Sequence, residues 1–171
     1  MKNGLRNGSR VGIAVVALLL TVLSPTWWSC TSNGCYDNST ALPKAAFYRG
    51  GSAASVSGVS LKAIGAPGDS ILIDKQATSQ FYLPLSATRG SVDWVIDYNV
   101  EGIEPDTLTI AYTPQLQFVS RDCGAMYFFR INSVNYTRHV IDDVVITDSL
   151  ITNVDRVTLK INLQTETTSE E

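Results

Sequence analysis

Apolar and polar side chains alternate along several segments of this 171-residue chain. The most regular segment covers residues 156–163, where apolar residues occupy every second position from Val157 to Leu163. Successive side chains of a β-strand point to opposite faces, so this period predicts a strand with one buried face. The same period recurs over residues 92–100 and 107–112. The pattern therefore favours β-sheets.

Turn-forming residues, such as Gly50-Gly51 and Glu104-Pro105, separate these segments from other short apolar ones. Further strands are predicted at residues 45–49, 59–64, 70–74, 80–85, 116–120, 126–134 and 144–147. No segment after residue 30 has a sustained helical period. We therefore predict an all-β fold, a single antiparallel β-sandwich of the immunoglobulin-like or Greek-key type, with a barrel as the alternative.

The length and the 44% hydrophobic content are sufficient for one well-buried core. We expect one domain over residues 44–163, followed by a polar, disordered tail over residues 164–171. The net charge is -3 and no run of Lys and Arg occurs. Because a phosphate-binding surface needs clustered basic residues, the composition argues against nucleic-acid binding.

The first thirty residues have the pattern of an export signal. Lys2, Arg6 and Arg10 precede a mainly apolar stretch at residues 11–23, which is shorter than the roughly 20 residues that span a bilayer. The sequence up to Cys30 looks like a bacterial lipobox, although Trp27 and Trp28 depart from the usual residues. We predict a signal peptide over 1–29 with a signal-peptide helix, lipidation of Cys30, and a tether over 30–43. A retained anchor or an ordinary secretory cleavage near Ser29 is the alternative.

Three cysteines leave an odd thiol in an oxidising compartment. If Cys30 carries lipid, Cys35 and Cys123 remain and can form a disulfide that ties the tether to the domain. The alternative is that Cys123 is a small buried apolar residue and that Cys35 is a free thiol.

Four segments together resemble a group of small uncharacterised lipoproteins of Bacteroidetes. They lie at residues 67–72, 83–85, 106–112 and 118–124, and the last contains the most specific motif, Phe-Val-Ser-x-x-Cys-Gly. The resemblance extends from about residue 45 to residue 163. It implies a location in the envelope and no particular activity, and Cys35 matches a cysteine that follows the lipid-carrying one in that group.

Residues suited to catalysis or metal binding are few. His139 is the only histidine, and Ser120 and Asp122 near Cys123 do not form a nucleophile-elbow pattern. Asp142 and Asp143 are adjacent and therefore alternate faces on a strand, which is unsuited to a shared metal ion. We predict no catalytic residue, no cofactor site and no metal site.

Aromatic residues at strand spacing are expected to be mostly core, whereas two others are better candidates for exposure. The expected core set is Trp94, Tyr98, Tyr112, Tyr127 and Phe129, and the two others are Phe128 and Tyr136.

Three tripeptides match the Asp-Ser/Thr-apolar acceptor pattern of bacterial protein O-glycosylation. Their acceptor hydroxyls would be Ser70, Thr107 and Ser149. The alternative is structural, because an acid followed by a hydroxyl residue and an apolar residue also marks the point where a turn leads into a strand.

These observations predict an outer-membrane lipoprotein held by lipid on Cys30. The periplasmic face is favoured, because no acidic cluster follows Cys30 closely, and the cell surface remains the alternative. The expected function is that of a non-catalytic binding or accessory module, with an outer-membrane protein or an envelope glycan as its partner. A small envelope hydrolase is the alternative.

Overall fold

The computed structural model describes residues 41–65, 70–120 and 124–165, all of which fall in the second of two compact units of the chain, 1–32 and 33–171. No helix in these described ranges is long and apolar enough to cross a membrane. The strands are β1 (Lys44–Arg49), β2 (Ser52–Ala53), β3 (Val56–Ile64), β4 (Ile71–Thr78), β5 (Gln80–Tyr82), β6 (Ser91–Asp97), β7 (Asp106–Ser120), β8 (Gly124–Tyr136), β9 (Ile141–Ile146), β10 (Leu150–Ile151) and β11 (Val157–Leu163).

The larger of two sheets contains six strands in the order β10-β8-β7-β6-β3-β4, and every pair in it is antiparallel. It curls into a half-barrel. β7 and β8 form its longest hairpin, which is much longer than the neighbouring strand β6.

The smaller sheet has the order β2-β1-β11-β9, with β5 also paired to β1. Strands β1 and β11 run parallel, although they lie near opposite ends of the chain. The buried hydroxyl of Thr158 supports this pairing, since it accepts a 3.0 Å hydrogen bond from the Lys44 backbone N–H and donates a 3.1 Å bond to the Lys44 carbonyl.

One hydrophobic core lies between the two sheets. Phe47, Leu159 and Ile161 contribute to it from the smaller sheet, and Trp94 and Leu108 from the larger one. Both sheets thus bury the face that the alternation of residues assigned to the interior.

The all-β prediction is confirmed, and two of its details are wrong. The fold is not purely antiparallel, because β1 and β11 run parallel. Residues 107–112 and 116–120 are not separate strands but parts of the single strand β7, which continues through Pro114. β6 pairs with β7 only as far as Ala111. The Tyr112 N–H still bonds the Gly90 carbonyl, but beyond it no described strand pairs with this edge of β7, so a residue without an N–H costs no ladder hydrogen bond there.

The predicted signal-peptide helix and the predicted modifications of Cys30, Cys35 and Cys123 lie outside the described residues. Of the predicted tail, Gln164 and Thr165 are described. The backbone N–H of Gln164 donates a 2.9 Å hydrogen bond to the carbonyl of Val140.

Candidate functional site

The β7–β8 hairpin carries an apolar face that extends beyond the core. Tyr112 pairs with Ile131 and Pro114 with Phe129, and all but Pro114 of these four are buried. The next residues of the same face are Leu116 opposite Tyr127 and Phe118 opposite Ala125, because side chains two positions apart share a face. No charged residue occupies this face from Tyr112 to Phe118 or from Ala125 to Ile131.

The outer part of that face is exposed to solvent. Phe118 is 72% exposed, Leu116 61% and Tyr127 44%. We refer to Leu116, Phe118 and Tyr127 as the hairpin patch. Clustered apolar side chains that remain exposed on a folded domain commonly mark an interaction surface.

A groove of about 550 Å³ adjoins the hairpin patch. Tyr127 and Phe129 form one wall, and Leu85 and the first described residues, Ala41 and Leu42, form another. Its lining is almost entirely apolar, and the chain enters the domain beside it. The patch and the N-terminal entry point therefore lie at the same end of the domain.

His139 lies in a different cavity, also of about 550 Å³, which includes the side chains of Ser57 and Thr165. Its Nδ1 is 3.5 Å from Oε2 of Glu104, and both side chains are substantially exposed, at 38% and 79%. Among the described residues, no hydroxyl group lies within hydrogen-bond distance of the imidazole. Ser57 and His139 thus line one cavity, and Glu104 pairs with His139, but the nucleophile-to-base contact that a hydrolytic triad needs is absent among the described residues.

A densely hydrogen-bonded polar cluster is built around Asp106, at the start of β7. Its buried carboxylate accepts hydrogen bonds from the hydroxyls of Tyr98 (3.0 Å) and Thr137 (2.8 Å). It also accepts bonds of 2.8 to 2.9 Å from the backbone N–H groups of His139, Val140 and Ile141. This cluster fixes the β8–β9 connection on β7.

These contacts change the pKa values of both acidic groups in the cluster. Burial alone would raise the pKa of Asp106, but the backbone bonds from His139, Val140 and Ile141, together with Thr137, outweigh it and hold the pKa below its ordinary value. Burial and the nearby Asp106 charge raise the pKa of Tyr98 above its ordinary value. An ionised carboxylate with five donors has a structural role and little capacity left to act on a substrate.

Acidic residues do not assemble into a metal site in the described ranges, where no group of three His, Cys, Asp or Glu side chains is suitably placed. Asp143 instead accepts a 2.9 Å hydrogen bond from the hydroxyl of Tyr136. The neighbouring Asp142 is exposed on β9.

The predicted O-glycosylation acceptors differ in exposure, since Ser70 is exposed and Thr107 and Ser149 are half-buried. The acids before the last two have structural partners. Asp106 is the centre of the buried cluster, and Asp148 accepts a 2.8 Å bond from the Leu150 N–H and pairs with Arg156. Two of the three motifs therefore mark a turn that leads into a strand, which is the structural alternative given above. Glycosylation of the three hydroxyls stays a prediction.

The aromatic predictions were partly wrong. Trp94, Tyr98, Tyr112 and Phe129 are core residues as expected, but Tyr127 is exposed, and Phe128 and Tyr136 pack partly against the core. Alternation assigned Tyr127 to the inner face correctly. It could not indicate that nothing covers that face at the outer end of the hairpin.

Comparison with known proteins gives a family and no activity. No curated protein and no solved structure matches the chain. The sequence model described as "Family of unknown function (DUF6452)" matches residues 59–163, from the middle of β3 to the end of β11. The match covers more than half of the chain, and the chain belongs to this family of unknown function.

Proposed function

We propose that this chain is a lipid-anchored module of the bacterial outer membrane that binds an envelope protein through the hairpin patch and catalyses no reaction. The observation that carries the proposal is the uncovered apolar face of the β7–β8 hairpin, where Leu116 and Phe118 are mostly exposed. Interface centres are rich in aromatic and aliphatic side chains and poor in charge, as this face is.

The composition of the face favours a protein over a glycan as the partner. Sugar recognition needs several hydrogen-bonding groups beside an aromatic ring, and the exposed face offers Leu116, Phe118 and Ala125 around the single hydroxyl of Tyr127. A folded partner can cover such a surface with apolar side chains of its own.

The position of the N-terminal segment supports an anchoring role. Ala41 and Leu42 line the groove beside Tyr127, and only eleven positions separate Ala41 from Cys30. A fully extended chain of that length spans roughly 40 Å. Lipid on Cys30 would therefore keep the hairpin patch near the membrane, at the periplasmic face in our proposal. The lipobox-like sequence and the resemblance to Bacteroidetes lipoproteins support the same assignment.

The anchor is tested by mass spectrometry of the protein purified from its native membranes under non-reducing conditions. The expected result is a chain that begins at Cys30 with a diacylglyceryl group and contains a Cys35–Cys123 linkage. An intact N-terminus with an unmodified Cys30 would contradict the lipid anchor.

The binding surface is tested by placing a photo-crosslinking residue at position 118 in the native host, with position 117 as the matched control. Gln117 is exposed on the opposite face of the same strand. We expect one identified envelope protein to crosslink at position 118 only and to be lost after Leu116→Ser. Adducts of equal yield at both positions, or adducts with lipid or glycan alone, would contradict the proposal.

A small hydrolase centred on His139 is the second candidate, because Ser57 lines the same cavity and Glu104 pairs with the imidazole. It requires Ser57 to react as a nucleophile. Labelling of the protein by a fluorophosphonate, and loss of that labelling in both Ser57→Ala and His139→Ala, would support the hydrolase over the binding module.

A further inference from the structure

A third cavity, of about 370 Å³, lies over the inner face of the larger sheet, and no residue of the hairpin patch is among its described lining residues. Ala63, Val92, Trp94 and Tyr112 line it from strands β3, β6 and β7. The segment over residues 84–89 covers it, and Leu72 lies at its side. Its volume is within the range of pockets that bind small molecules.

The covering segment is fixed in place by Tyr112. The Tyr112 hydroxyl accepts a 3.0 Å hydrogen bond from the Ser86 N–H and donates a 3.0 Å bond to the Ser86 carbonyl. The backbone N–H of Tyr112 also donates a 2.8 Å bond to the Gly90 carbonyl. These contacts form the cavity in the folded protein, so a ligand need not first order the segment.

Trp94 lines this cavity, and its indole nitrogen is buried. Trp94 is only 2% exposed, and its Nε1–H has no hydrogen-bond partner; no other buried side-chain nitrogen or oxygen in the described ranges is left in this way. Buried donors in folded proteins are almost always paired, and an indole nitrogen can only donate. The buried nitrogen is not accessible to a ligand in the cavity, but the ring that lines the cavity can report one.

Arg89 provides a positive charge at the mouth of the cavity. Its side chain is exposed, and it is the only charged residue among those described in the lining. The remaining contacts are largely apolar, with Leu72, Pro84 and Val92 among them. A guanidinium group beside an apolar cavity suits a carboxylate with a hydrocarbon body.

We propose that this cavity binds a small organic acid with an apolar body, which places its hydrocarbon part against Leu72 and Val92 and its negative charge by Arg89. Such a carboxylate can belong to a free acid or to the C-terminus of a peptide that ends in an apolar residue. The site is separate from the hairpin patch and does not depend on it.

The test follows the indole N–H resonance of Trp94 by NMR in the full-length chain carrying Trp27→Phe and Trp28→Phe, which leaves Trp94 as the sole tryptophan. The probes are 3-phenylpropionate, its uncharged amide, and the peptide acetyl-Ala-Ala-Phe with a free carboxylate. We expect a saturable shift with one of the two acids and a much weaker response to the amide. A stronger response to the peptide would identify a peptide C-terminus as the source of the carboxylate.

Variants test the charged contact. Arg89→Gln should weaken binding of the acid about tenfold, because it removes a charge-assisted bond, while Arg130→Gln on the outer face of β8 should leave it unchanged. The comparison between acid and amide and the Arg89 variant together decide the question. No shift with any probe up to about 10 mM, or equal binding of acid and amide, would overturn the proposal.

Discussion

The hydroxyl group of Tyr98 donates a 3.0 Å hydrogen bond to the carboxylate of Asp106, and both side chains are buried. Tyr98 follows β6 and Asp106 opens β7, so the bond closes the connection between these two strands. The same carboxylate also holds the backbone that leads into β9. One ionised group therefore determines how two connections meet at this end of the fold.

Asp106→Ala is expected to destabilise the protein by about 3 to 5 kcal/mol, because it leaves three backbone N–H groups and two hydroxyls without their acceptor. Tyr98→Phe removes one donor and keeps the ring, so it should cost about 1 kcal/mol. Urea unfolding measures both values. The control is Asp142→Ala, an exposed carboxylate on β9, with an expected change within about 0.5 kcal/mol. Equal effects of Asp106→Ala and Asp142→Ala would mean that the cluster contributes little.

Stability should fall at acid pH chiefly through Asp106. Its folded-state pKa lies below the ordinary value of 3.8, so the unfolded chain binds the proton more readily. The contribution is present above pH 3.8 and is lost as the pH falls through the lower, folded-state pKa. When unfolding is measured from pH 7 downwards, the free energy of unfolding of Asp106→Asn should fall less than that of the unsubstituted protein. Asp155→Asn is the comparison. The hydrogen bond of Asp155 with Lys44 also lowers the pKa of Asp155, but this bond lies at the surface, where solvent screens it. A larger effect of Asp155→Asn would contradict this assignment.

Truncation of a side chain should destabilise the protein strongly at the buried end of the hairpin face and very little at its exposed end. Phe129→Ala removes a core ring that packs edge-on against Tyr112 at a centroid distance of 5.6 Å, and it should cost about 3 to 5 kcal/mol. Phe118→Ala, on the same face, should change stability by less than about 0.5 kcal/mol, because its ring is already in water. Chemical denaturation of both variants tests this. A large loss of stability in Phe118→Ala would show that the patch is covered by the chain itself.

Asn99 should tolerate glycine better than alanine. It has a φ of 51°, and its side-chain amide donates 2.8 Å bonds to the Gly58 carbonyl and the Ser60 hydroxyl. Asn99→Ala loses these bonds and retains the strain of the left-handed conformation, for an expected cost of about 2 kcal/mol. Asn99→Gly loses the bonds and relieves the strain, so about 1 kcal/mol is expected. Thermal and urea unfolding should rank the variants in this order, and the reverse order would show that backbone conformation is unimportant here.

Sequence patterns could predict the strands and most of the core, because alternation is a local property that follows from strand geometry. Trp94 and Leu159 are buried for this reason. The parallel pairing of β1 with β11 could not be predicted, since partner choice depends on contacts between distant segments. The Asp106 cluster was also missed, because its donors are mostly backbone groups that have no sequence signature.

The same limit applies to the candidate sites. The sequence placed Tyr127 on the inner face but gave no information on how far the body of the domain extends over that face. The cavity beside Trp94 depends on residues from several strands and on the segment over 84–89. Only the folded arrangement brings them together, and no spacing along the chain marks them as a group.

The pairing of β1 with β11 has a consequence for biosynthesis. Lys44 and Thr158, which hydrogen-bond across this pair, are 114 positions apart. A chain that emerges N-terminus first, from a ribosome or through a translocation channel, has β1 available long before its partner. Until β11 emerges, β1 can pair only with the short strands β2 and β5, so the centre of the smaller sheet is the last part that can form. The smaller sheet can thus be completed only after β11 has emerged, and until then the chain can still pass through a channel in an extended form.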